Sequence, residues 1–279
     1  THYHPSNAIF MTFGDIPADE LQERFQNQVL YKFNASEERI SVPYEKRFLK
    51  PIAIQENYAL NDEKGIENKT HIIMSWLLGS TTDLKENLEA QLLSSVLLDN
   101  SASPLQKALE VTDLGSSPSP LCGLDDSQLE LCFVCGIEGS SPEHSDALEG
   151  LVLNVLEDIA ENGIPRAELE ASLHQLELNQ REIGGDGYPY GLQLILTALT
   201  NATHRGDPIA LLDIETVLGQ LQKNIKDPDY IKQLTSRLLL KNNHRVRLTI
   251  IPDNKLAKMN DTIEACLLYT SDAADDGLS

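Results

Sequence analysis

Cys132-Phe133-Val134-Cys135 has the spacing used by zinc ribbons and by dithiol redox centres, so it is the first place to look for chemistry. The pair lies inside Leu129 to Ile137, a run with strand composition. Residues three apart on a strand point to opposite faces, so these two thiols cannot share a metal. Cys122 and Cys266 supply no second pair, and the four cysteines read as free thiols of a reducing compartment, a bacterial cytoplasm or an organelle matrix. Gly184-Gly185-Asp186-Gly187 has the look of a phosphate cradle, but it lacks the Lys-Ser/Thr of a P-loop and ends a helix instead of following a strand. Its glycines suit the positive φ of a sharp helix–helix turn, which Tyr188-Pro189-Tyr190 would pack. No G-x-S-x-G elbow supports a serine hydrolase, and Asn68-Lys69-Thr70 and Asn201-Ala202-Thr203 read as chance glycosylation sequons.

The formal charge of -21, from 43 acidic and 22 basic residues, repels a phosphate backbone and argues against nucleic acid as a partner. An acidic surface serves solubility and attracts basic peptides. No apolar run reaches the roughly eighteen residues of a membrane span, so no membrane partner is expected. Thr1-His2-Tyr3-His4 is no signal peptide, and a start at Thr fits a chain cut from a longer one.

The elements that must position these residues follow from periodicity and punctuation. Ala8 to Phe13 reads as a strand, and Asp15 to Asn34 as a helix with Leu21, Phe25, Val29 and Phe33 in register. Ala35 to Lys50 has no period and reads as a connection. Strands are expected at Pro51 to Tyr58 and His71 to Leu78, where Ile72, Met74, Trp76 and Leu78 share a core face. Asp83 caps a helix carrying Leu84, Leu88, Leu92 and Val96, and a short helix spans Leu105 to Val111. Gly115 to Pro120 is a loop, and two strands flank Asp125-Asp126. Ser141-Pro142 opens a helix ended by Asn162-Gly163, and Pro165 opens the next. Gly191 to Thr200 predicts a buried helix, and Asp207-Pro208 and Asp227-Pro228 each predict a helix start before a closing strand. Hairpins of strands with helices grouped between them give an α+β fold, an antiparallel or mixed sheet covered by helices.

His4-Pro5-Ser6-Asn7 before Ala8 to Phe13 and Asn242-Asn243-His244 before Arg245 to Ile251 are matched polar lead-ins to β-rich runs, the endings expected of a duplicated domain. The opening Thr1 to Ala8 and the block Leu173 to Leu192 closely resemble the pitrilysin/insulinase group of zinc metallopeptidases, over residues 1 to about 256. That resemblance implies homologous α+β domains enclosing a chamber for short unfolded peptides, with the metallohydrolase-like fold of the mitochondrial processing peptidase. It makes residues 1–36 the terminal strand and helix of an upstream catalytic domain, 37–50 a linker and 51–256 a non-catalytic second domain. Residues 257–279 are then a tail, of which 266–279 resembles translated sequencing-adapter DNA.

The family's signature is H-x-x-E-H, in which two histidines and a distal carboxylate hold zinc and the Glu activates its water. This chain has no such motif. In His174-Gln175-Leu176-Glu177-Leu178 a leucine stands where the second His belongs, and Ser140 stands where His would precede Glu143-His144. The resemblance thus implies no catalytic and no metal-binding residue here, with zinc held elsewhere in the parent, whose remaining domains and peptide substrate are the partners. Asp186, Tyr188, Tyr190 and Arg205 are the candidates for lining the chamber. The alternative from another class is an inactive homologue serving as an assembly subunit, separated by whether H-x-x-E-H lies upstream of Thr1.

Overall fold

The computed structural model describes residues 3–37, 40–60, 65–181, 189–260 and 262–264. Its centre is a six-stranded mixed sheet in the order β1-β6-β2-β5-β3, with β4 also pairing β5. The strands are β1 (Ile52–Ala59), β2 (Thr70–Ser80), β3 (Ser117–Pro118), β4 (Gly123–Asp125), β5 (Glu130–Ser140) and β6 (Arg245–Asp253). β1 runs parallel to β6, while β2 is antiparallel to both β5 and β6. The long antiparallel trio sits in the middle because β2 and β5 carry a buried residue at almost every second position.

Helices cover one face. They are α2 (Leu84–Leu98), α3 (Pro104–Val111), α4 (Ser145–Asn162), α5 (Arg166–Arg181), α6 (Tyr190–Thr203), α7 (Ile214–Asn224) and α8 (Tyr230–Thr235), the last continuing into a π-helical turn at Ser236–Leu240. Before the sheet comes α1 (Ala18–Gln28). The core joins Ile72, Met74 and Trp76 of β2 and Leu131, Phe133, Cys135 and Ile137 of β5 to Leu88, Leu92, Val152, Leu156 and Leu239 of the helices. Trp76 is fully buried, and its indole N–H donates to the Leu239 carbonyl at 3.0 Å, so the large ring enters the core without an unpaired donor.

Local rules explain the boundaries that sequence placed well. The Asp83 carboxylate accepts from the Glu86 N–H at 3.0 Å and starts α2. Gly163, at φ +78°, ends α4 in a conformation that other residues adopt at a cost.

Five expectations are corrected. Ala8 to Phe13 is not a strand: the stretch runs without β pairing, because no strand among the described residues lies beside it to exchange hydrogen bonds. The helix expected over Asp15 to Asn34 shortens to α1 and a 3₁₀ turn at Leu30–Lys32, broken at Val29. Asp207-Pro208 opens only a turn, in which the Asp207 carboxylate accepts from the Ile209 N–H at 3.0 Å, and the helix starts at Ile214. Helix α6 is not buried throughout: Gly191, Ala198, Asn201 and Ala202 face inward while Leu192 and Leu196 are exposed. Its apolar residues exceed what one buried stripe requires. The loop expected at Gly115 to Pro120 contains the short strand β3. The Gly184 to Gly187 turn, Cys266 and the residues from 265 onward lie outside the described residues.

Candidate functional site

The sheet has two unlike faces. Strand alternation sends Ile72, Met74 and Trp76, with their partners Thr249, Arg247 and Arg245 on β6, under the helices. Arg245 and Arg247 end that layer by pairing with Glu149 of α4 at 3.0 and 2.9 Å, and Arg247 also binds Asp146. The opposite face carries Ile73 and Leu77 of β2, Val134 of β5, Val246, Leu248 and Ile250 of β6, and Ile52 and Ile54 of β1. None of the helices α2–α8 stacks on it. Ile54 is 39% exposed, and Val246, Leu248, Ile250, Leu77 and Val134 are all part-exposed. The result is a mostly apolar face, part-exposed except at Ile73, which is 6% exposed, with β1 as a free edge whose outer backbone groups pair with no strand among the described residues.

The candidate chamber residues do not form one cluster. Asp186 and Tyr188 lie outside the described residues. Tyr190 and Arg205 stand at the two ends of α6, a helix of 14 residues, hence ~20 Å apart along its axis. Both meet the segment that precedes the sheet. Tyr190 is edge-on to Phe13, with ring centroids 6.5 Å apart. The Arg205 guanidinium donates to the Asn7 side-chain oxygen and to the Ile40 carbonyl, each at 3.3 Å.

The zinc-like sequence fragments are engaged otherwise. His174 is exposed on α5, and Glu177 pairs with Arg181 at 2.9 Å. His144 Nδ1 lies 2.9 Å from the Leu114 carbonyl, closing a loop. Among the described residues no group of three or more His, Cys, Asp or Glu is placed to hold a metal ion, so the zinc implied by the resemblance does not fit the residues here. The strand geometry of the cysteine pair is as expected. Cys132 lies on the open face with its sulfur 3.0 Å from Ser75 Oγ, and Cys135 is buried beneath the helices. Burial pushes both thiols above their ordinary range, which keeps them protonated and poorly nucleophilic.

Sequence reasoning missed two polar anchors. Glu130 and His244 are 6% and 7% exposed at one end of the sheet, and their partners come from the connection before β1. Glu130 pairs with Arg47 at 2.6 Å and accepts from the Glu45 N–H at 2.6 Å. His244 Nδ1 accepts from the Phe48 N–H at 3.3 Å, and its ring stacks on Phe48 with centroids 3.9 Å apart. Burial, then the neighbouring Arg47 charge, holds the His244 pKa below its usual value. The second anchor is Glu89, buried on α2, which binds Arg237 at 2.5 Å and accepts from the Tyr230 hydroxyl at 3.2 Å. Burial and the Glu89 charge push Tyr230 up to about 12. A charged residue interrupting an apolar strand or helix was the available signal, but its distant partner cannot be read from spacing.

A mixed sheet layered by helices on one face makes an α+β fold. The solved structures that superpose on it include a protease from Helicobacter pylori, with TM-score 0.56, 16% identity, and coverage of 86% of this chain and 53% of that one. Another is a peptidase M16 inactive domain from Pseudomonas fluorescens, with TM-score 0.52, 15% identity, and coverage of 85% and 52%. The sequence profile described as "Peptidase M16 inactive domain" matches residues 1–176, and the chain belongs to that family. Among curated proteins it is similar to a mitochondrial presequence protease of Xenopus laevis, 30% identical over 270 residues. That match covers 95% of this chain and 26% of the relative, so the chain spans about a quarter of the length of the curated proteins it matches.

Proposed function

We propose that this chain supplies a non-catalytic wall of a zinc metalloendopeptidase that degrades short unfolded peptides, a reading in keeping with the inactive-domain family it belongs to and with its likeness to presequence proteases. The observation that carries the reading is the two-faced sheet. A face bearing Ile54, Leu248 and Val134, all at least part-exposed, suits an enclosure that holds apolar peptide side chains without reacting with them. The free edge of β1 adds backbone donors and acceptors for an extended chain. Residues 1–36 belong, on this reading, to the neighbouring catalytic domain, 37–50 to the linker and 51–256 to the wall. Zinc is held by that neighbouring domain. On the same reading Tyr190 and Arg205 face the enclosed space near the seam between the two, while Asp186 and Tyr188 lie outside the described residues. The reducing interior of a cell or organelle is the setting proposed for the free cysteines.

The test uses the parent enzyme. Leu248→Glu and Ile54→Glu place charge on the open face. Each should lower kcat/KM for an unstructured peptide by tenfold or more, about 1.4 kcal/mol, with zinc content and Tm unchanged. Unaltered turnover in both variants would remove the wall from the reaction.

A further inference from the structure

Arg205 is a non-glycine residue in the left-handed region, at φ +67°, one of two among the described residues. That conformation is disfavoured in a residue with a Cβ and occurs chiefly where a helix ends. Here it caps the C-terminal end of α6, where the Arg205 N–H donates to the Ala202 carbonyl at 3.0 Å and the Gly206 N–H to the Asn201 carbonyl at 2.8 Å, and from this cap the guanidinium reaches the segment before the sheet. There it reaches Asn7 and Ile40 together. Asn7 in turn accepts from the Ile40 N–H at 3.1 Å, and Ser6 Oγ accepts from the Ser36 N–H at 3.0 Å. The segment up to Ile40 is therefore tied to itself, and Arg205 ties it to α6. A second touch lies at the other end of the same helix, where a methyl group at Gly191 would collide with the Phe13 ring.

On the other side of the connection, Tyr44 donates to Ser80 Oγ at 3.2 Å, Arg47 binds Glu130 and the Leu78 carbonyl, and Phe48 is held by His244. Glu130 and His244 are buried, so releasing this strap would leave a buried carboxylate without its cation. The strap is anchored to the sheet. Between the two tied sets stand Ser41, Val42 and Pro43, all exposed, with no hydrogen bond of their own to a described residue.

We propose that Ser41-Val42-Pro43 is a hinge between the N-terminal unit, residues 3–40, and the sheet domain, and that Arg205 is the clasp that holds the hinge closed. The inference rests on the reading that residues before the linker belong to a neighbouring domain. In that setting the clasp governs how far the seam beside the wall opens. Its bonds are two exposed contacts at 3.3 Å, together worth about 1 kcal/mol, so their loss shifts the open-to-closed ratio about fivefold. A clasp of that strength closes the seam without locking it.

The test measures distances by electron spin resonance between labels on non-canonical side chains at Glu23 of α1 and Glu110 of α3, in the full chain. The unmodified chain should give one dominant distance. Arg205→Ala, which keeps the strained backbone, and Arg205→Gly, which relieves it, should both raise a second, displaced population about fivefold. Hydrogen exchange of α1 amides should stay at the parent rate in both variants, since the unit swings as a body. An unchanged distribution in both variants would overturn the proposal. So would a displaced population accompanied by loss of α1 protection, which would mean local unfolding. Neither outcome depends on peptide turnover, so failure here is distinct from failure of the wall reading.

Discussion

The sheet domain and the unit that precedes it use apolar residues in opposite ways. From Thr70 onward the domain buries Trp76, Phe133, Leu92 and Leu131 almost completely in one shared core. Among the described residues from 3 to 40 none is buried, although Phe10, Phe13, Phe33 and Tyr31 are all there. Phe10 reaches Phe25 of α1 with centroids 5.1 Å apart, and His4 meets Phe33 at 5.6 Å. These contacts are those of a surface layer lacking a floor. The difference teaches that the residues from Thr70 onward share one core, whereas the preceding segment has apolar surface suited to covering by a neighbour.

The sharpest way to break that contrast is to remove core volume. Trp76→Ala should cost about 3–5 kcal/mol of unfolding free energy, read by urea denaturation. Next comes the buried carboxylate: Arg237→Met strips Glu89 of its short ion pair and should cost about 1–2 kcal/mol, less than a fully buried pair because the guanidinium is half exposed. Phe25→Ala, in the preceding unit, should change the sheet domain's stability by less than about 0.5 kcal/mol while hydrogen exchange of α1 quickens. A loss comparable to that of Trp76→Ala would show that both regions share one core.

The smallest effect concerns pH. The folded-state pKa of His244 lies below its unfolded value, so the unfolded chain binds the proton more readily. The stability linked to this group is full above the unfolded pKa of about 6.5 and falls as pH drops below it. Protonation would also set an N–H against the Phe48 N–H. His244→Asn keeps an acceptor without a titrating ring, and its unfolding free energy should fall less steeply than the parent's between about pH 7 and 5. Equal slopes would mean that other groups carry the dependence.

What sequence revealed of this architecture follows the range of the interactions involved. Asp83, Gly163 and the alternation through Ile72, Met74 and Trp76 act on neighbours a few residues away, and each was legible. Asp207 carried the same capping signal as Asp83, yet Asn201 donates to its carbonyl at 2.8 Å and holds it in a turn. Ala8 to Phe13 has strand composition, but a strand is a property of two segments, and its partner is missing among the described residues. The open sheet face was not visible as such, because alternation tells that a strand has two faces and not which one the helices cover. Arg205 was singled out among the candidate chamber residues, but its left-handed backbone and its reach to Asn7 and Ile40 belong to the fold alone.

The most direct test of the account is cleavage of an unstructured peptide by the purified chain with zinc supplied, measured with and without a chelator. The account predicts no cleavage above buffer in either arm, because no H-x-x-E-H occurs in the sequence and no described cluster fits a metal. Turnover that a chelator abolishes and added zinc restores would contradict it.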